Sequence, residues 1–133
     1  MRALWALFLL VASAPAVHLN PVEYRLERQM RFWQKRLGLE SWKIDLRIQR
    51  QKAMGDVWGT AEWDDEKKVA VVSVLDPRDY NLRGGELKLD LECTIVHELV
   101  HIQVSPLDAP NANVREDVVN KIMGALVNRP CPN

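Results

Sequence analysis

A chain of 133 residues with 18 basic and 18 acidic side chains, net charge zero and 47% hydrophobic residues suits one small domain with one modest core. The balanced charge removes the electrostatic case for nucleic acid or an anionic membrane surface as partner, and a monomer is expected. No repeat, low-complexity tract or glycine-rich phosphate loop is present, and the basic residues of 25–36 share their stretch with Glu27, as on a solvated face.

The first residues, MRALWALFLLVASAPAV, stand apart. One basic residue precedes an apolar run from Ala3 to Ala12, too short to span a bilayer, and small residues end at Ala14-Pro15-Ala16. That is the layout of a secretory signal with cleavage after Ala16, so 1–16 is expected to be a signal peptide and 17–133 one exported domain, secreted or periplasmic. An uncleaved anchor or a misassigned start in front of a cytoplasmic domain are the alternatives. No cysteine lies near the cleavage region to carry a lipid.

Asn20-Pro21-Val22-Glu23 is a helix start, with a cap, a first-turn proline and a glutamate for the free amides. Leu26, Met30, Trp33 and Leu37 recur at helical spacing until Gly38. Trp42, Ile44, Leu46 and Ile48 alternate with polar residues, which predicts a half-buried strand. The run 57–63, VWGTAEW, predicts a second strand, and Val69 to Leu75 a buried third, joined by the turn Asp64-Asp65-Glu66-Lys67. From Glu86 the period becomes 3.6 and runs to Val104, stopped by Pro106. A last helix is expected over 114–128 with Asn113 as its cap, before RPCPN. Helix, three strands and two helices make an α+β domain.

Residues 94–104, TIVHELVHIQV, hold two of the chain's three histidines, His97 and His101, with Glu98 directly after the first. HExxH has two free positions and is weak evidence alone. Its helix, however, is apolar over most of its circumference and carries a narrow polar stripe of Asp90, Thr94, His97, Glu98, His101 and Ser105. Such a helix is buried, and a polar stripe on it must face a wet cleft or polar partners. Imidazoles at i and i+4 project side by side and reach one zinc ion, leaving the glutamate beside a water held there.

A buried core histidine pair would need no third ligand; a metal site does. His18 sits at the signal boundary, and Val104 and Leu107 occupy the region where a longer motif would place its glycine and third histidine. A carboxylate must therefore serve, and Asp108, Glu116 and Asp117 are the candidates. On the last helix Glu116 borders the apolar arc of Val114, Val118, Val119, Ile122, Met123 and Leu126, while Asp117 faces Lys121 as an exposed pair. Glu116 is the expected ligand; a rim salt bridge with Arg115 or a neighbour is the bland alternative. Cys93, four residues before His97, reads as a small buried thiol. Cys131 has four readings: a ligand folding back onto the metal's open position, a free tail, a disulfide to Cys93, or an intermolecular disulfide.

The order of elements, VHELVH, and a glutamate before VVN together resemble the gluzincin (thermolysin-like) zinc metallopeptidases, nearest to the minimal single-domain minigluzincins, over residues 20–128. The resemblance implies a zincin-like fold with zinc on His97, His101 and Glu116, and Glu98 as catalytic base and acid. It implies a metalloendopeptidase acting on a peptide or protein substrate laid along the edge strand 57–63, where Gly59 and Ala61 leave room for a backbone. It also makes Asn120 the group that steadies a ligand histidine, where family members carry aspartate. A tyrosine or histidine usually stabilises the oxyanion, for which only Tyr24 and Tyr80 remain. A non-catalytic zinc- or peptide-binding module on the same fold is the other reading.

Overall fold

The computed structural model describes residues 20–107 and 111–131; the expected signal segment and Asp108 fall outside them. It is an α+β domain with four α-helices and a three-stranded sheet: α1 (Pro21–Arg36), β1 (Lys43–Gln49), α2 (Gln51–Met54), β2 (Gly59–Asp64), β3 (Val69–Leu75), α3 (Gly84–Val104) and α4 (Ala112–Val127).

Local chemistry starts α1 where expected. The Asn20 side chain accepts from the amides of Val22 and Glu23 at 3.0 Å each, and the Glu23 carboxylate returns to the Asn20 amide at 3.1 Å. This reciprocal cap satisfies amides the first turn leaves free. Leu26, Met30 and Trp33 are buried on its inner face. Trp33 Nε1–H donates to Glu92 of α3 at 3.0 Å, and Gln34 Nε2–H donates to the carbonyls of Leu39 and Trp42, so buried polar groups brace both ends of the packing. Gly38 takes a positive φ of 67° in the turn that follows, as the sequence implied.

The sheet order is β1-β3-β2, with β1 parallel and β2 antiparallel to β3. The continuous apolar run becomes the central strand, with Val72 and Val74 fully buried, while alternation in β1 buries Ile44 on one side only. β2 and β3 form the expected hairpin, which leaves β2 as an edge. Short α2 went unpredicted; four residues with one apolar anchor, Met54, carry no readable period.

Helix α3 packs against α1, β2, β3 and α4. It starts two residues before the expected Glu86. Helix α4 starts at Ala112 with Asn111, not Asn113, as cap: the Asn111 side chain accepts from the Val114 amide at 3.0 Å. The expected apolar arc of α4 is only partly used, because Val114 and Val118 stay exposed while Val119 and Val127 are buried.

The cysteines need correction. Cys93 is not a free thiol: it forms a disulfide with Cys131, the two Cα atoms 6.0 Å apart. The tail after α4 returns to α3, where Arg129 also lies 3.7 Å from Glu92, and this delivers Cys131 to the residue next to Glu92. The sulfur of Cys131 is thus committed, which overturns both the metal-capping and the free-tail readings. Closing a separation of 38 residues removes chain entropy from the unfolded state worth about 4 kcal/mol at most. We expect Cys131→Ser, or reductant on the native chain, to lower stability by about 2–4 kcal/mol, read as a shift in the urea midpoint; an unchanged midpoint would contradict the bridge.

Candidate metal centre

Helix α3 presents His97 and His101 one turn apart, and α4 brings Glu116 against them. His97 Nε2 lies 3.1 Å from His101 Nε2. Glu116 places Oε2 3.2 Å from His97 Nε2 and Oε1 3.0 Å from His101 Nε2. Three residues of metal-ligating type therefore converge, and the group is able to hold a cation. Ligand atoms about 2.0–2.1 Å from a tetrahedral ion stand roughly 3.3–3.4 Å apart, so these donors need only small adjustments to accept one. Two imidazoles and a carboxylate are also a suitable donor set for a borderline ion.

The roles of the ring nitrogens follow from α4 as well. His97 Nδ1–H donates to Asn120 Oδ1 at 3.0 Å, which leaves the Nε2 lone pair turned toward His101 and Glu116. Asn120 thus holds the ring of His97 from the facing helix. The His101 pKa is lowered, first by burial and then by His97 and Arg115, against an opposing pull from Glu116. Lowering favours the neutral imidazole, the form that ligates.

Asp117 forms the expected exposed pair with Lys121 at 2.6 Å, away from the centre. The rim salt bridge between Glu116 and Arg115 does not form; Glu116 engages the imidazoles instead. Glu98 is 7% exposed and lines the cleft beside His97. Burial, and secondly the charge of Glu116, push its carboxyl up to about 8. A cation between the histidines would counter both effects.

Gly59 of β2 lies tight against α3. A Cβ there would stand 2.6 Å from Thr94 Cγ2 and 2.8 Å from Glu98 Oε1. The missing side chain makes room for α3 and Glu98, and the regular pairing of Gly59 with Val74 excludes a bulge. Beyond this contact the cleft is lined by Thr60, Ala61 and Trp63 of β2 and by Arg115 and Glu116 of α4. Neither tyrosine lines the two cavities that contain His97 and Glu98. Tyr80 is buried against Trp58, their ring centroids 5.6 Å apart, and Tyr24 is exposed on α1. Val57 and Trp58, from the run expected as the edge strand, and Arg115, expected only as a salt-bridge partner, also line these cavities.

Compared with protein-family models, curated proteins and solved structures, the chain matches none.

With cobalt(II) as a visible probe, competition against a chromophoric chelator should give one site per chain. Glu116→Gln should abolish it at micromolar metal, and Asn120→Ala should weaken it about 10–100-fold. Asp117→Asn should bind as the parent does. Equal loss in the Glu116 and Asp117 variants would refute the ligand set.

Proposed function

We propose that the protein is a zinc metallopeptidase with a zincin-like fold of the gluzincin type, in which His97, His101 and Glu116 hold zinc. The observation that carries this reading is the convergence of His97, His101 and Glu116, with contacts of 3.0–3.2 Å between each pair, next to the buried Glu98. Zinc bound there would supply Lewis acidity toward a water and toward the scissile carbonyl.

The remaining steps belong to the chain's own residues. A Glu98 carboxylate oxygen takes the proton of the attacking water and returns it to the departing amine, so the same group serves as base and then as acid. Its tight seat against Gly59 and Thr94 restricts where that carboxylate can go. Asn120 fixes the ring of His97 and its tautomer. On its free edge β2 pairs with no strand among the described residues, and it can take an extended peptide as a further strand along the cleft. The disulfide supports an oxidising compartment, in agreement with an exported protein.

A second reading, a zinc- or peptide-binding module without turnover, is favoured by one observation. Neither tyrosine lines the cleft, and among the described residues Arg115 is the only lysine or arginine lining it to meet an oxyanion.

Glu98→Gln should retain zinc at parent stoichiometry and lose cleavage of an unstructured protein substrate by at least about 100-fold. Zinc by plasma emission and cleavage products by mass spectrometry are measured on the same preparation. Zinc-loaded parent protein that cleaves nothing across a broad peptide library would sink the peptidase reading in favour of the binding module.

A further inference from the structure

Another cavity, of about 340 Å³, lies between α1 and the first turns of α3 and shares no residue with the two cavities around the metal centre. Leu26 and Leu91, 2% and 6% exposed, form its floor. The half-buried Val22, Pro77 and Leu87 make its walls. Its polar lining is of one kind: Arg25 and Lys88, both exposed at the mouth, and the amide of Gln29. No carboxylate lines it, and the acids next in sequence are engaged elsewhere. Glu23 accepts from the Asn20 amide at 3.1 Å, and Asp76 pairs with Arg78 at 2.7 Å. Glu92 accepts from the Trp33 indole at 3.0 Å and lies 3.7 Å from Arg129. Neither Arg25 nor Lys88 takes part in an ion pair among the described residues.

An apolar hollow open to water keeps hydrated a surface that hydrocarbon would cover, and every methylene placed there is favourable by transfer alone. Its volume, near the lower end of the range for ligand sites, suits one short chain and not a docked helix. Two cations without a compensating acid give the mouth a single sign, and α3, which starts at Gly84 with no side-chain cap, adds its positive end to them. The ligand that answers both features has an aliphatic body and one anionic head. We propose that this cavity binds a free aliphatic carboxylate of medium chain length, its chain against Leu26, Leu87 and Leu91 and its head on Arg25 and Lys88. Exposed cations alone hold a carboxylate weakly, since water and salt screen them. Affinity therefore comes chiefly from the buried chain, while the cations decide which head group is taken. The site uses no residue of the metal centre and stands independently of the peptidase reading.

The purified protein, with its leucine and valine methyl groups labelled with ¹³C, is titrated at low ionic strength with butanoate, hexanoate and octanoate. Octanol and octylammonium serve as the neutral and the cationic comparison. Octanoate should move the methyl signals of Val22, Leu26, Leu87 and Leu91 saturably. Its Kd should fall about two- to fourfold for each methylene added from butanoate onward. Octanol should bind about tenfold more weakly than octanoate, and octylammonium more weakly still. Replacing both mouth cations, Arg25→Gln with Lys88→Gln, should cost octanoate about tenfold and leave octanol unchanged; these positions are exposed, so the fold is retained. Octanol or octylammonium binding as tightly as octanoate would overturn the proposal. So would an affinity indifferent to chain length, which marks a surface ion contact only, or octanoate shifts centred on the metal centre. Cavity signals that move with protein concentration alone place a second copy of the chain there and overturn it too. The comparison among probes on the parent protein decides the matter even if the double variant folds poorly.

Discussion

Nearly everything in this domain follows from the burial of α3. Twenty-one residues long, it is in contact with three other elements besides α4, and Ile95, Val96, Leu99, Val100 and Ile102 are almost wholly enclosed. A helix packed on so many sides cannot turn its polar stripe freely to water, so each polar residue on it must be met by something brought from another element. Glu92 is met by the Trp33 indole, His97 by Asn120, and both imidazoles by Glu116. Asp90 lies against the buried Tyr80 hydroxyl, and Glu98 is left beside His97 without a cationic neighbour among the described residues. Glu98 lines the cleft that also holds both histidines and Glu116.

The same constraint accounts for the sheet edge. β2 comes so close to α3 that no side chain fits at position 59, and the neighbours that forbid it are Thr94 and Glu98 themselves. Alanine at 59 would force the glutamate to move or the strand to withdraw. Stability and the seating of the buried carboxylate thus depend on one glycine, a coupling that neither the strand nor the helix reveals by itself. Electrostatics add to this. Glu98 is held by burial and by the Glu116 charge in a state that favours its proton. Positive charge between the histidines would reverse that preference.

Much of this was legible from residue order. The Asn20 cap, the alternation in β1, the unbroken apolar run of β3 and the periodic stripe of α3 each state their element because one local preference dominates. Glu116 could be chosen over Asp117 because the helical period separates a residue on the rim of the apolar arc from one opposite Lys121. What could not be read depends on long-range placement. The partnership of Cys93 and Cys131 requires knowing that the chain turns back along α3 after Asn128. The exposure of Val114 and Val118 is set by how α4 leans on α3, not by their own period. The use of Gly59 appears only when two elements far apart in sequence meet.

The Cys93–Cys131 bridge links the helix that carries the two imidazoles to the segment following the helix that carries the carboxylate and the asparagine. The two halves of the ligand set are thus tethered at both ends of α4, by the loop before it and by sulfur after it. If α4 lifted away in a local opening, its donors would stay at a high effective concentration near the histidines. Loss of an ion would then leave a spring-loaded latch that recloses in place, where an untethered helix would drift and fray. In a reducing compartment that tether is undone, and how faithfully α4 returns to the histidines becomes a function of thiol chemistry some distance from either imidazole.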